Sequence, residues 1–239
     1  MLASTSFTPS KEFALLLIGP PLSGKTNVAM SFPTPYFFST DRKLGNAVVR
    51  HNNKAFFYDY PCAEPDKRWD TMCAALKLAM VDPKIETIVV DNLTDVTQFL
   101  IDHIIAHGGT KLTVGGEKVM EMNHWQPFKL LMTKLITTLK SCGKMIVVCA
   151  HETIDKDEVT GMLSYTPNIP GALRTTLGAY FTDVWHCETE LVGKECKYIV
   201  RTMPTPRMAL GNSLGLPQTF SFTWEEFNKQ LKHITTQPK

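Results

Sequence analysis

One short segment near the start of the chain constrains its fold more than any other. It reads Gly19-Pro20-Pro21-Leu22-Ser23-Gly24-Lys25-Thr26 and fits G-x-x-x-x-G-K-[ST], the pattern of a phosphate-binding loop. The apolar run at 13–18 is typical of a buried parallel strand, and residues 27–30 can continue as a helix. Such a loop works between a strand and a helix N-terminus, whose N–H groups point at phosphate. The context therefore supports the motif.

The pattern assigns a role to individual side chains of this loop. Lys25 is expected to reach the β- and γ-phosphates of a nucleotide, and the Thr26 hydroxyl to ligate Mg²⁺. Gly19 and Gly24 allow a close backbone approach that a Cβ would block. The residues predicted to bind ATP are Gly19, Pro20, Pro21, Leu22, Ser23, Gly24, Lys25, Thr26 and Asn27.

A carboxylate further along the chain completes the predicted site. The run Thr87-Ile88-Val89-Val90-Asp91 indicates a buried strand that ends in an acid, 66 residues after Lys25 (91 − 25). Asp91 would hold Mg²⁺ through water beside Thr26. The alternative is that Asp91 only caps the next helix.

The residue that orients water for hydrolysis is not fixed by these motifs. Many NTP hydrolases carry a glutamate directly after the strand-end aspartate, but here that residue is Asn92. The candidates for catalysis, besides Lys25, are Asp41, His151 and Glu152. Each follows a predicted strand, at the edge where open α/β sheets bind ligands. An ordinary turn or loop position is the alternative for each of them.

The order of predicted elements indicates an α/β fold. Strands alternate with helices and then give way to a hairpin at 183–190 and 195–201. This order predicts a mostly parallel central sheet with helices on both faces and an antiparallel edge hairpin. We treat residues 1–239 as a single domain. A C-terminal helix is predicted at 224–234, with Thr223 as its N-cap.

Three further segments have weaker signals. A short strand is predicted at 55–58 and a buried one at 145–150. Residues 108–123 contain two Gly-Gly pairs and are predicted to be a mobile insertion with a small hairpin at Gly115-Gly116. Residues 152–169 are predicted to be a polar segment with a turn at 159–161.

Composition excludes some classes of protein. With a net charge of +2 and 44% hydrophobic residues, the chain is globular and too weakly basic to indicate nucleic-acid binding from charge alone. None of the 6 cysteines forms a C-x-x-C pair, which is typical of reduced thiols in the cytoplasm. A zinc site at Cys149 and His151, or at His186 and Cys187, lacks a metal-ligand spacing. No signal peptide is predicted at 1–10 and no membrane-spanning run elsewhere.

Taken together, these motifs resemble the RecA-like recombinase core. More narrowly, they resemble the small phage-encoded RecA-like P-loop ATPases that work with single-strand annealing proteins. The resemblance covers most of the chain, and its markers are GPPLSGKT at 19–26, STDRKLG at 39–45, TIVVDN at 87–92, VVCAHE at 147–152, PGALRTTLGAYFTDVWH at 170–186 and YIVRT at 198–202. It implies ATP and Mg²⁺, a homo-oligomeric ring or filament, single-stranded DNA as a partner, and a single-strand annealing or single-strand-binding protein as another.

The resemblance also implies further site residues. Segments 108–123 and 152–172 would line a DNA channel, with contacts from Lys111, Lys118, Lys156, Tyr165 and Arg174. Arg201 or Arg207 would act in trans on the nucleotide of a neighbouring subunit. In the family the acids after the second strand usually read Asp-x-Glu, whereas Lys43 stands at the glutamate position here. Either Asp41 substitutes, or hydrolysis is slow, or the protein acts as an ATP-gated binder.

The sequence thus predicts an ATPase whose ATP-dependent activity is to bind single-stranded DNA in recombination or annealing. Two alternatives stay open. One is an ATP-gated helicase loader or recombination mediator without efficient hydrolysis, which Lys43 favours. The other is a P-loop kinase that phosphorylates a small molecule such as a nucleotide.

Overall fold

Strands and helices alternate along most of the chain. A computed structural model describes residues 13–51, 55–193 and 195–229. Its strands are β1 (Ala14–Gly19), β2 (Pro35–Ser39), β3 (Phe57–Asp59), β4 (Thr87–Asp91), β5 (Thr113–Val114), β6 (Glu117–Lys118), β7 (Met145–Lys156), β8 (Leu163–Pro167), β9 (Asp183–Val192), β10 (Glu195–Arg201) and β11 (Thr219–Phe220). Its α-helices are α1 (Lys25–Ser31), α2 (Gly45–Arg50), α3 (Arg68–Val81), α4 (Leu93–His107), α5 (Trp125–Lys140), α6 (Leu173–Thr176) and α7, described over 224–229.

The main sheet places the phosphate-loop strand near its centre. The strand order is β11-β10-β9-β1-β7-β4-β2-β3, and β8 pairs with the end of β7. The strands from β9 to β3 are parallel to their neighbours, whereas β10, β11 and β8 pair antiparallel. The predicted fold class, a mostly parallel sheet with an antiparallel edge hairpin, is therefore confirmed.

Strand β1 is buried on both faces, which explains its unbroken apolar sequence. Leu16 and Ile18 face a core formed with helices α3, α4 and α5. Leu15 and Leu17 face a second core, formed with α1, α2 and α7. Because successive strand residues point to opposite faces, one strand holds both layers of helices in place.

Strand β7 differs from its prediction. The expected end at 150 is wrong, because the strand continues to Lys156 and turns back through β8, with Ile154 opposite Tyr165. The segment predicted as polar with a turn at 159–161 is thus largely a hairpin that turns at 158–160. Beyond 151 the β7 strand pairs on one side only, with β8. It therefore has a half-exposed polar pattern rather than an apolar one.

Other predictions of elements can be compared directly. The short strand expected at 55–58 occupies Phe57–Asp59, and the small hairpin at Gly115-Gly116 is confirmed as β5–β6. The Thr223 hydroxyl accepts a hydrogen bond from the Glu226 N–H (3.2 Å), as expected of an N-cap. The predicted helix end at 234 and the predicted absence of a signal peptide at 1–10 lie outside the described residues.

Candidate nucleotide-binding site

The loop between β1 and α1 has the geometry that its sequence predicts. Gly24 has φ 89°, in the left-handed region that favours glycine. A Cβ on Gly24 would lie 2.5 Å from Cδ1 of Tyr198, so the ring of Tyr198 packs directly on the loop. Leu22, also at positive φ (67°), is 88% exposed at the loop tip.

Lys25 is held inside the curve of this loop. Its Nζ donates to the carbonyl oxygens of Gly19 (2.9 Å) and Pro20 (2.8 Å), and only 6% of the residue is exposed. The ammonium group therefore lies at the centre of the loop, where a phosphate chain would meet its charge.

The two predicted metal ligands lie side by side. The Thr26 hydroxyl, in the first turn of α1, donates to Oδ2 of Asp91 at the end of β4 (2.7 Å). In the sheet, β7 lies between β4 and β1, the strand that precedes α1. Burial raises the pKa of Asp91, and the hydrogen bond from Thr26 and the charge of Lys25 oppose that rise. The cap of α4 is Asn92, whose Oδ1 accepts from the Asp95 N–H (2.9 Å). The helix-cap alternative for Asp91 is therefore wrong.

His151 lies at the same edge, opposite Gly19 in the pairing of β7 with β1. Its Nε2 is 3.4 Å from the side-chain amide of Asn92, and its backbone N–H donates to the Thr94 hydroxyl (3.0 Å). Burial and the nearby charge of Lys25 lower the pKa of His151, so a neutral imidazole faces the loop at neutral pH.

A small hydrogen-bonded network joins the ends of β2 and β4. The Thr40 hydroxyl donates to Asp95 (2.7 Å), and the Asn92 side chain donates to the same carboxylate (3.1 Å). The Asn92 N–H in turn donates to the Thr40 hydroxyl (3.0 Å). This network holds the backbone at Asn92, next to Asp91, and at Thr40, next to Asp41.

Asp41 lies at the mouth of the site. Its carboxylate is 3.2 Å from Nζ of Lys43, whose side chain is 76% exposed. A pair this exposed contributes little to stability. Asp41 and Asp91 are the carboxylates that line the cavity in the described part of the chain. Asp41 is therefore the more exposed of the two cavity carboxylates, because Asp91 is buried.

The cavity fits a nucleoside triphosphate with a cation. It has a volume of about 420 Å³ and is lined by the loop, Asp41, Asp91, Asn92, His151 and Tyr198, among others. Three buried polar atoms around it have no hydrogen-bond partner within the described structure: Ser23 Oγ, Asn27 Oδ1 and His151 Nδ1. A hydroxyl beside a carboxylate offers the oxygen ligands that Mg²⁺ prefers. Thr26 and Asp91 would therefore hold the metal.

Glu152 does not reach this cavity, although it follows His151 directly. Side chains alternate along a strand, so Glu152 points to the other face and accepts a hydrogen bond from His186 Nε2 (2.7 Å). Both side chains are nearly buried, at 11% and 6% exposure. The prediction of Glu152 as a catalytic group disagrees with this placement.

Neither zinc alternative is supported by a cluster of ligands. In the ranges covered by the structure, no group of three or more His, Cys, Asp or Glu side chains converges on a possible metal position. Cys149 and Cys187 are buried free thiols. Burial raises the pKa of both, to about 12 for Cys187.

The residues predicted to contact DNA or a neighbouring subunit lie outside the cavity. Lys118 and Lys156 are exposed on the two hairpins, and Lys111 is exposed just before β5. Tyr165 is half-buried on β8, and Arg174 donates to Asp155 (3.1 Å). Arg201 is bound to Glu188 (2.7 Å), whereas Arg207 is exposed.

Tyr198 is a cavity residue that sequence reasoning did not assign to the nucleotide site. It lies on β10, and only the strand order β10-β9-β1 brings it to the phosphate loop. Its own neighbours in sequence give no signal of this, because the contact joins residues 174 positions apart (198 − 24 = 174).

A phosphate loop at the carboxyl edge of a parallel sheet, with a buried acid at the end of the strand two positions away, is the arrangement of P-loop nucleotide-binding proteins. Proteins of this class bind nucleotide, usually with Mg²⁺. The chain belongs to the AAA domain family, whose model matches residues 11–214.

A KaiC-like protein from the hyperthermophilic archaeon Pyrococcus horikoshii OT3 is 14% identical, with 80% of this chain and 77% of that chain covered and a TM-score of 0.41. No curated protein matches the sequence. Among the described helices, none has the length and apolar character needed to cross a membrane.

Proposed function

We propose that this ATPase binds single-stranded DNA during recombination or annealing, and that bound ATP alters its DNA-binding hairpins. One observation carries the proposal. Strand β7 runs without a break from His151, which lines the nucleotide cavity, to Lys156 in the β7–β8 hairpin. A displacement of His151 by the γ-phosphate would therefore be transmitted along one strand to the hairpin.

The residues around the cavity supply the parts that hydrolysis needs. Lys25 binds the β- and γ-phosphates, and Thr26 and Asp91 hold Mg²⁺, which neutralises phosphate charge when bound. Asp41 orients the attacking water in place of the glutamate that Lys43 replaces. His151 contacts the terminal phosphate as a neutral hydrogen-bonding group.

Both hairpins offer lysines to a phosphate backbone, while several nearby acids are already engaged. Asp155 accepts from Arg174 (3.1 Å), and Glu121 accepts from two backbone N–H groups, at 2.7 and 3.1 Å. Asp157 likewise accepts from the N–H groups of residues 159 and 160. Lys111, Lys118 and Lys156 would bind phosphates, and Tyr165 and Arg174 would stack on bases if the hairpin opens.

The proposal includes assembly into a ring or filament of identical subunits. Arg207 is the better of the two trans candidates, because Arg201 is already held by Glu188. A single-strand annealing or single-strand-binding protein is the proposed partner of the assembly on DNA.

The first experiment measures steady-state ATP hydrolysis with and without single-stranded DNA. Lys25→Ala removes the charge partner of the phosphates and should abolish turnover, whereas Lys84→Ala, at an exposed site away from the cavity, should not. We expect DNA to stimulate the wild-type rate. Turnover that ignores DNA would contradict the proposal while leaving the ATPase intact.

The second experiment locates the DNA surface. Charge reversal at Lys111, Lys118 or Lys156 should weaken binding of a labelled oligonucleotide and reduce the salt slope by about 1 per lysine. Lys84→Glu carries the same charge change at a distance and serves as the matched control. Equal losses in all four variants would indicate non-specific attraction rather than hairpin contacts.

A second candidate function is an ATP-gated mediator or loader with slow hydrolysis. The ion pair between Lys43 and Asp41 favours it, because that pair holds the proposed water-orienting carboxylate. Lys43→Glu restores the acid that the resembled family carries at this position. A large gain in turnover in that variant would support the mediator, and no gain would support Asp41 as a sufficient substitute.

A further inference from the structure

Tyr198 packs on the phosphate loop from a distant strand. Its ring atoms Cδ1 and Cγ would lie 2.5 and 2.9 Å from a Cβ on Gly24, so the ring rests against the glycine itself. The residue is half-buried and lines the nucleotide cavity. Of the described residues around this cavity, only Tyr198 and His151 are aromatic.

The sheet order gives the direction in which a nucleotide runs through the cavity. Asp91 and His151 lie on β4 and β7, on one side of β1, and mark the position of Mg²⁺ and the terminal phosphates. Strands β9 and β10 lie on the other side of β1. A nucleoside that extends away from β4 and β7 would reach the side of the loop where Tyr198 lines the cavity.

We propose that Tyr198 forms the base subsite of this ATPase, with its ring stacked on the flat base of a nucleoside triphosphate. Stacking uses the π-face that every base offers. The ring is already fixed against Gly24, which limits the ordering cost on binding. This inference rests on the ATPase site and not on DNA binding.

The test separates base from phosphate by comparing two ligands with Mg²⁺. Calorimetry measures the Kd of ATP and of inorganic tripolyphosphate for the wild type and for Tyr198→Ala, Tyr198→Leu and Tyr198→Phe. Alanine and leucine should weaken ATP binding about tenfold and leave tripolyphosphate within about twofold. Phenylalanine keeps the flat ring and should restore the affinity for ATP.

The leucine variant distinguishes loss of stacking from loss of packing, because leucine fills the space over Gly24 but has no π-face. Phe57→Ala removes an exposed aromatic ring from β3, outside the cavity, and is the matched control. Equal losses for both ligands would show that Tyr198 only positions the loop and would overturn the proposal. Unchanged ATP affinity in Tyr198→Leu would overturn it as well.

Discussion

The charged form of Asp91 that metal binding requires also lowers the free energy of unfolding. It is buried and must be ionised to hold a metal, yet burial raises its pKa above the ordinary value of 3.8. A raised pKa means that the folded state binds the proton more tightly than the unfolded state. Stability is then lost as pH rises from 3.8 through the folded pKa, and the full cost remains at neutral pH.

We therefore expect Asp91→Asn to stabilise the nucleotide-free protein while abolishing Mg²⁺-dependent turnover. The gain should be about 1 kcal/mol near pH 7, which is about 2–4 °C in Tm for a chain of this size, and should shrink toward pH 4. Thermal unfolding at both pH values measures it. Asp66→Asn, at an exposed site, is the control and should change Tm little at either pH.

At the same scale, the sequence predicts the phosphate loop and Asp91 well because their signals are local. A fixed spacing defines the loop, and a single apolar run ends in the acid. The roles of Tyr198 and Glu152 depend instead on strand order and on which face of a strand a side chain occupies. Glu152 follows a histidine that lines the cavity, and one residue of offset moves it to the opposite face.

The next scale is the element, where β7 and β9 are joined across β1 by the pair of Glu152 and His186. Their hydrogen bond is 2.7 Å long, and His186 Nδ1 is also 3.7 Å from Glu188. The arrangement is structural, since neither side chain of the pair lines the nucleotide cavity.

Glu152→Ala should therefore cost about 2 kcal/mol of unfolding free energy, because it leaves the buried His186 without its acceptor. Turnover per folded molecule should stay within about twofold. The comparison variant is Asp41→Asn, which should lower turnover about 100-fold with little effect on stability. Urea denaturation and ATPase assays on both proteins check this, and a large rate loss in Glu152→Ala would return Glu152 to the catalytic group.

How well a strand can be predicted from its sequence depends on whether it pairs with another strand on one side or on both sides. The central strands β1 and β4 are flanked on both sides and therefore have apolar sequences that identify them. The second half of β7 pairs on one side with β8, and its mixed sequence looks like a loop. No local pattern at 151–156 distinguishes those two structures.

Across the whole molecule, the C-terminal segment closes the core beneath α1. Phe227 is 1% exposed, and its ring lies 5.4–5.9 Å from those of Phe13, Phe32, Trp185 and Phe222. Residues from both ends of the described chain thus pack against the helix that follows the phosphate loop.

Phe227→Ala should destabilise the protein by about 3–4 kcal/mol, because it leaves a cavity between rings that no neighbour can fill. Denaturant unfolding measures the loss. Leu191→Ala, at a position that is 78% exposed, is the control and should change stability by less than about 0.5 kcal/mol. A small effect at Phe227 would mean that the core closes without the C-terminal helix.

The two halves of β7 should also differ in the rate at which their backbone amides exchange hydrogen with solvent. Amides at 146–149 lie between β1 and β4 and should exchange with solvent deuterium only on global unfolding. Amides at 152–156 pair with β8 alone and can exchange through local opening of the hairpin. The protein can therefore rearrange its outer hairpin many times within the lifetime of a single folded core.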